Sequence, residues 1–306
     1  MKFNMNGIFT DHKNEGQVFK RPFLRGVFSF VASGILSFLA MFIVIISLTL
    51  LGILVGNSPE AVQQFFADSP YTHSFDLFIT VIPIMIFLVF ELFVSKHSFK
   101  SLGFSLEKWI SNYASGYLVG LLMILACVLV LLATGSVSFE FNETLSIGVL
   151  FAFLFGFIIQ GMSEEVICRS ILFPIISSKF GIIAGILGNS LLFAVLHINN
   201  PNIGILGLVN IALFGIFMSL IYYYYQNIWI ISGIHSAWNF AQGNIFGISV
   251  SGIDFTGLSI FNSNVDISYL TGGSFGFEGG LICTIILIVS IGIAIGIYNK
   301  KSSVLA

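Results

Sequence analysis

Charged residues are scarce in this sequence. Asp, Glu, Lys and Arg make up only 8% of its 306 residues, whereas 57% are hydrophobic. An ordinary soluble domain carries roughly 25% charged residues. Because so few charges cannot cover a folded chain with polar surface, the composition argues against a soluble domain.

Cysteine is also scarce and follows no metal-binding pattern. Cys127, Cys168 and Cys283 lie in or beside apolar segments and show no CxxC spacing. This argues against a disulfide framework and a thiolate metal site, and it predicts that all three are packing residues. The net charge of -2, with no basic stripe beyond the N-terminal tail, points to no nucleic-acid partner.

Long apolar runs occupy most of the chain. A membrane-spanning helix needs about 20 mostly apolar residues. Eight segments are candidates, at 26–55, 75–94, 113–134, 147–170, 182–198, 204–225, 228–247 and 279–298. The sequence therefore predicts an all-α, polytopic membrane helix bundle with about eight transmembrane helices.

The positions of the basic residues favour eight helices, because cytoplasmic loops collect Lys and Arg. All twelve lie in the N-terminal tail, the loop at 95–112, the turn near 169–181 or the C-terminus. Both termini are therefore predicted to be cytoplasmic, with a tail at 1–25, one membrane domain at 26–298 and a tail at 299–306. The composition, rich in Phe and poor in Cys, favours a bacterial cytoplasmic membrane.

Glycine-containing stretches raise two further expectations. The spacings "GIIAG" at 181–185 and "GIAIG" at 292–296 would let helix backbones approach closely. The segment 247–280 is rich in Gly, Ser and Asn, and it is either a plain connector or a lid or re-entrant element at a site opening. No internal repeat is evident, which disfavours a transporter built from repeats.

A few polar side chains fall inside the predicted spans. A charge at the centre of a membrane helix costs about 2.5 to 3.5 kcal/mol, so such residues usually face the bundle interior and mark function. The set comprises Glu91, Glu164, Glu165, Arg169, His197, His235 and Asn239. Of these, Glu91 lies near the predicted cytoplasmic end of its helix and is expected to reach water.

The charged residues of the stretch "EEVICR" at 164–169 are expected to have different partners. Glu165 and Arg169 stand four residues apart, so on a helix they share a face and are predicted to pair. Glu164 is turned about 100° away and needs another partner. If helices four and five form a hairpin around the turn at 179–181, His197 lies at the same depth and becomes the expected partner.

His235 and Asn239 are one helical turn apart and should point in one direction. Together with Glu164 and His197 they offer a carboxylate, two imidazoles and an amide, a set that can activate water and stabilise an oxyanion. Each of them could instead be a hydrogen-bonding group between helices, and Glu164 alone could serve a transporter as a proton relay.

At these spacings the sequence resembles the CPBP intramembrane protease family, which includes the type II CAAX prenyl endopeptidases and the bacterial Abi proteins linked to bacteriocin processing and self-immunity. The motifs are "EEVICR" (164–169), "FAVLH" (193–197) and "HSAWN" (235–239), matching EExxxR, FxxxH and HxxxN. The resemblance covers about 147–247, and "EGG" at 278–280 is also similar.

The resemblance implies that Glu164 and His197 activate water and that His235 and Asn239 bind the oxyanion. Glu165 and Arg169 would hold the helix together, and Phe193, one turn before His197, would support the site.

The family is usually described as metalloproteases, which implies a divalent metal such as zinc held by Glu164, His197 and His235. The sequence contains no HExxH and no GxGD, and a metal-free Glu and His pair is the other interpretation.

The leading hypothesis is an intramembrane endopeptidase that acts on a peptide or a membrane-anchored protein among membrane lipids. A non-catalytic immunity or scaffold protein is the alternative, and a transporter is the third hypothesis. The sequence leaves open whether the substrate is prenylated and on which membrane face the site opens.

Overall fold

The computed structural model describes residues 22–263 and 268–304 and is built almost entirely of helices. Most of the predicted N-terminal tail and the end of the C-terminal tail lie outside these ranges. The helices are α1 (Pro22–Leu54), α2 (Pro59–Asp68), α3 (Thr72–Ile79), α4 (Val81–Val89), α5 (Trp109–Ala133), α6 (Ile147–Glu165), α7 (Phe173–Phe180), α8 (Ile182–Leu196), α9 (Ile205–Tyr225), α10 (Ile228–Phe240), α11 (Ser268–Thr271) and α12 (Leu281–Val304).

Three π-helical segments extend these helices. They comprise Phe90–Val94 after α4, Val166–Leu172 between α6 and α7, and Ala241–Ile245 after α10. Such segments insert one extra residue into a helical turn and often occur at functional sites.

Six stretches of the described residues are long and apolar enough to cross a membrane, as judged from length and composition. They are Phe23–Leu54, Thr72–Val94, Trp109–Ala133, Ile147–Phe180, Ile205–Tyr225 and Leu281–Lys300. The predicted segments at 182–198 and 228–247 are helical too, but α8 and α10 have only 15 and 13 residues. The chain is thus an all-α, multi-pass membrane protein whose eight predicted segments form six long and two shorter helices.

The fourth predicted span continues past its expected end. Helix α6 passes through the π-helical segment into α7, so helical structure runs from Ile147 to Phe180 despite Pro174. Proline lacks an N–H group and clashes with the carbonyl four residues earlier. Because Pro174 sits in the first turn of α7, directly after the wider π-helical turn, the chain tolerates it. Gly181, with φ of 86°, then ends the helix and allows the turn into α8.

Helix α10 lies at the centre of the bundle and packs closely against α5 and α6. Glycines permit this approach: a Cβ on Gly116 of α5 would lie 1.9 Å from the carbonyl oxygen of Ile230. In the opposite direction, a Cβ on Gly233 would lie 2.3 Å from the carbonyl oxygen of Tyr113. The Asn227 side chain starts α10 by accepting from the N–H groups of Trp229 and Ile230.

The glycine spacings expected to bring helices together have different outcomes. A Cβ on Gly185 would meet the side chains of Ser177 and Phe173 of α7, whereas one on Gly181 would meet nothing within 4 Å. A Cβ on Gly292 or Gly296 would meet nothing within 4 Å. Those two glycines therefore mark no close helix contact within the described part of the chain.

The segment 247–280 is a folded part of the structure over its described residues. Its strand β2 (Ser259–Ser263) pairs antiparallel with strand β1 (Val137–Phe141), and the Phe139 and Phe261 rings lie 5.7 Å apart. The Phe255 ring contacts Phe153 and Phe157 of α6. The segment is thereby held against the helices instead of forming a loose connector.

The structure corrects the prediction for Glu91 and confirms the one for the three cysteines. Glu91 was expected to reach water, but it is buried, and its carboxylate lies 2.6 Å from Nδ1 of His97. The chain turns back after the π-helical segment, which brings His97 to Oε2 of Glu91 and gives that oxygen a partner inside the protein. All three cysteines are buried and free, as predicted.

Replacing Gly116 with Ala tests the α5–α10 contact. The new methyl group would overlap the Ile230 carbonyl, so we expect the unfolding free energy to fall by about 1 to 3 kcal/mol. Thermal unfolding of the purified protein in detergent measures the change. Gly292→Ala is the matched control, because its Cβ meets nothing and Ala favours a helix. Equal stability of the two variants would contradict the described packing.

Candidate active site

The predicted polar residues converge from three helical regions. Glu164 and Glu165 end α6, and Arg169 lies in the π-helical segment that follows. His197 caps the end of α8, while His235 and Asn239 stand on the buried face of α10. The turn at Gly181 folds α7 back onto α8 and so brings the histidine towards the acids, in the hairpin expected from the sequence.

Glu165 is the centre of a buried charge network. It is completely buried, and its Oε1 accepts a hydrogen bond from Nη1 of Arg169 at 2.9 Å. This confirms the predicted pair. The same oxygen also lies 2.7 Å from Nδ1 of His235, a contact that sequence reasoning missed. Glu165 therefore links its own helix to α10 as well as neutralising Arg169.

Phe193 supports this network from α8. Its ring covers the Arg169 guanidinium at 4.3 Å, a cation–π contact. Its backbone carbonyl accepts a hydrogen bond from Nδ1 of His197 at 2.8 Å, and the two rings meet edge to face. The predicted supporting residue thus holds both a cation and an imidazole in place.

The two histidines present the same atom to Glu164. Because the Phe193 carbonyl and the Glu165 carboxylate can only accept, both Nδ1 atoms donate, and both Nε2 atoms remain available. Glu164 Oε2 lies 3.9 Å from Nε2 of His197 and 3.7 Å from Nε2 of His235. His197 is therefore not the single partner expected for Glu164, and both separations exceed a direct hydrogen bond.

Glu164 Oε2 is a buried acceptor without a hydrogen-bond partner among the described residues. The other oxygen, Oε1, accepts a hydrogen bond from the side-chain amide of Gln160. The Gln160 carbonyl oxygen in turn accepts from Nδ2 of Asn239 at 2.9 Å. Sequence reasoning missed Gln160, although its position four residues before Glu164 places it on the same helix face.

These side chains line one cavity of about 350 Å³. Its polar wall contains Gln160, Glu164, His197, Asn200, Asn210, His235, Asn239, Ser251 and Glu278. Most of the remaining wall is apolar, with Phe157, Phe193, Ile211, Phe214, Trp238, Val250, Phe255 and Leu287 among its residues. Five described residues of the segment 247–280 form part of the wall, which agrees with the expectation of an element at the site and not with that of a plain connector: Val250, Ser251, Ile253, Phe255 and Glu278.

Glu278 is a second acid of this cavity that sequence reasoning left without a role. Its Oε2 accepts from the backbone N–H of Ser251 at 2.7 Å and from the Ser251 hydroxyl at 2.8 Å. Burial raises the pKa of Glu278, while the Ser251 hydrogen bonds and the nearby imidazoles of His197 and His235 oppose this rise. The "EGG" similarity was a signal in the sequence, but no spacing rule connects residue 278 to the three motifs.

The predicted zinc ligands form a suitable donor set, but they are loosely grouped. Tetrahedral zinc holds N and O donors at about 2.0 to 2.2 Å, so the donors lie roughly 3.4 Å apart. The separations from Glu164 to the imidazoles are wider, and among the described residues no three such side chains form a metal-binding group. The zinc site therefore stays a prediction.

Comparison with known proteins supports the motif interpretation. Residues 146–241 match the family model described as type II CAAX prenyl endopeptidase Rce1-like. This range contains all three motifs and nearly coincides with the predicted core at about 147–247. No match was found among curated proteins or among solved structures. The family match supports a peptidase that acts on peptides or proteins in a membrane setting.

Removing the Arg169 cation tests the buried network. Arg169→Met leaves the Glu165 carboxylate buried with His235 alone, so we expect a loss of about 3 to 5 kcal/mol in unfolding free energy. Thermal unfolding in detergent measures this loss. Lys100→Met, which removes an exposed cation, is the control and should change little.

A double variant separates the lost charge from lost packing. Glu165→Gln combined with Arg169→Met leaves no unpaired charge, and the introduced amide can still accept a hydrogen bond from His235. We expect the double variant to regain part of the stability lost by Arg169→Met. If the double variant is the less stable of the two, the charge balance assigned to Glu165 is wrong.

Proposed function

We propose that this chain, which carries a type II CAAX prenyl endopeptidase Rce1-like region at residues 146–241, is an intramembrane endopeptidase. The observation that carries the proposal is the approach of one carboxylate oxygen, Glu164 Oε2, to two imidazole Nε2 atoms at 3.7 and 3.9 Å. In that gap a water molecule can lie within hydrogen-bonding distance of all three atoms.

Water activation falls to Glu164 and His197. The Nδ1 of His197 donates to a neutral carbonyl, so its Nε2 carries a lone pair and accepts from the water. Glu164 Oε2 takes the proton as the water oxygen attacks the carbonyl carbon of the peptide bond. The Gln160 amide fixes Glu164 through Oε1 and leaves Oε2 for the water. General bases placed in this way accelerate reactions about 10² to 10⁴-fold.

Stabilisation of the oxyanion falls to His235 and Asn239. The Glu165 carboxylate beside Nδ1 of His235 stabilises the imidazolium form, whose Nε2 then donates a hydrogen bond. Asn239 uses one amide hydrogen on Gln160 and keeps the second. Two donors on one helix can thus meet the negative oxygen of the tetrahedral intermediate, and a single such donor is worth about 10² to 10³ in rate.

The substrate class follows from the cavity walls. The walls are largely apolar, so the peptide should carry apolar side chains next to the bond that is cleaved. We infer a peptide or a membrane-anchored protein that reaches the site from the surrounding lipid. A prenylated protein belongs to this class and is one of the substrates to compare.

Substitution of the proposed base tests the assignment. We expect Glu164→Gln to lower kcat for a peptide substrate by about 10² to 10⁴-fold, because an amide cannot take the proton from water. Cleavage of a peptide library by purified protein, read by mass spectrometry, identifies the substrate and measures the rate. Glu60→Gln, which changes an exposed acid of α2, is the control. Full activity of Glu164→Gln would refute the proposed base.

Treatment with a chelator decides the role of a metal. We expect cleavage to be unchanged after dialysis against a strong chelator, because the proposed steps use side chains only. The measurement is the cleavage rate before and after dialysis, with metal content measured in parallel. Loss of cleavage that added zinc restores would instead support the predicted ligands Glu164, His197 and His235.

A further inference from the structure

We propose that Glu278 is the acid that protonates the leaving nitrogen when the peptide bond breaks. This inference rests on the proposed endopeptidase function and adds a catalytic residue to it. Cleavage of an amide requires a proton on the departing nitrogen, and the groups assigned so far accept the water proton and bind the oxyanion. Glu278 is a second acid of the same cavity with no task in those steps.

The hydrogen bonds of Glu278 define which oxygen can donate. Oε2 accepts from two donors of Ser251, so in the neutral carboxyl group the proton resides on Oε1. Oε1 has no hydrogen-bond partner among the described residues. It is also absent from the buried side-chain atoms that lack a partner, so it is accessible. Because Glu278 lines the cavity, the O–H of a neutral Glu278 is free to donate to a peptide bound there.

The backbone around Glu278 holds this orientation. The Asn210 amide donates to the carbonyl oxygens of Glu278 at 2.8 Å and Gly280 at 2.9 Å. Gly276, with φ of 92°, packs so closely that a Cβ would lie 1.8 Å from the carbonyl oxygen of Ser249. The turn that carries Glu278 is thereby fixed against the segment that carries Ser251.

The two carboxyl groups of the cavity have different surroundings, which suits an acid and a base. Glu164 accepts one hydrogen bond, from the Gln160 amide. Glu278 is half-buried and accepts two hydrogen bonds from Ser251, and burial raises its pKa despite them. Other titratable groups line the same cavity: Cys168 after α6, His197 on α8, His235 on α10 and Cys283 on α12. No Lys or Arg is among the described residues that line it.

The proton balance closes without a further reactant. Glu164 gains one proton when water adds to the carbonyl carbon and the carbonyl electrons move to oxygen. The oxyanion then re-forms the C=O bond, the C–N bond breaks, and the nitrogen takes the Glu278 proton. The products are a carboxyl group and an amine. Transfer of the proton from Glu164 to Glu278, through water in the cavity, restores both groups.

The test compares two substrates with Glu278→Gln. One is a cleaved peptide, and the other has the same sequence with a thioester in place of the scissile amide. A thiolate leaves without protonation, since a free thiol has a pKa of about 8.5. We expect Glu278→Gln to lower amide cleavage by about 10²-fold and to leave thioester cleavage near the parent rate. The introduced glutamine side chain can still accept from Ser251, so the cavity wall is retained.

Two controls separate this inference from the proposed function. Glu164→Gln should slow the cleavage of both substrates, because both need an activated water. If the parent protein cleaves neither substrate, the proposed endopeptidase function is wrong. An equal loss on both substrates in Glu278→Gln would assign Glu278 a structural role, and unchanged amide cleavage would exclude it as the donor. Either result overturns the proposal.

The pH profile provides a second readout. The acid is competent only while protonated, so amide cleavage by the parent should fall as pH rises through the pKa of Glu278, above the ordinary range of a glutamate. Loss of activity from deprotonation of the His235 imidazolium should affect both substrates alike. The basic limb that belongs to Glu278 should appear in the parent for the amide but not for the thioester, and Glu278→Gln should lose it. A parent basic limb that is the same for both substrates would contradict the assignment.

Discussion

The structure depends on one fully buried carboxylate. Glu165 Oε1 accepts from Arg169 at 2.9 Å and from His235 at 2.7 Å, so one atom joins the end of α6, the π-helical segment and α10. A buried charge is tolerated only when it is paired and hydrogen-bonded. The Phe193 ring of α8 covers the Arg169 guanidinium, so α8 is the fourth region that contacts this network. Glu164 and the two histidines owe their positions to this arrangement.

The network also gives the two histidines of the site different hydrogen-bond partners. His197 donates through Nδ1 to the neutral carbonyl of Phe193, whereas His235 donates through Nδ1 to the Glu165 carboxylate. A carboxylate partner favours an imidazolium and a carbonyl partner does not. Both rings turn Nε2 towards Glu164, yet one is suited to accept a hydrogen bond from water and the other to donate one to an oxyanion. The partner of Nδ1 thus divides the two tasks.

Much of this site could be predicted from the sequence, because its main contacts follow helix periodicity. The Glu165–Arg169 pair and the shared direction of His235 and Asn239 require only a four-residue spacing, and the Gly181 turn brings His197 to the depth of Glu164. The link from Glu165 to His235 depends on how α6 packs on α10, which no local spacing fixes. Glu278 was missed for the same reason, since it reaches the cavity from a turn far along the chain. Glu91 was predicted wrongly because the reversal of the chain towards His97 leaves no periodic signal.

An experimental structure with a phosphinic analogue of a cleaved peptide would test the proposed site directly, because its tetrahedral anionic phosphorus mimics the intermediate. We expect one phosphinate oxygen within hydrogen-bonding distance of Glu164 Oε2 and the other in contact with His235 Nε2 and Asn239 Nδ2. Binding of the phosphinate away from these groups, with the same peptide still cleaved in solution, would contradict the proposed site.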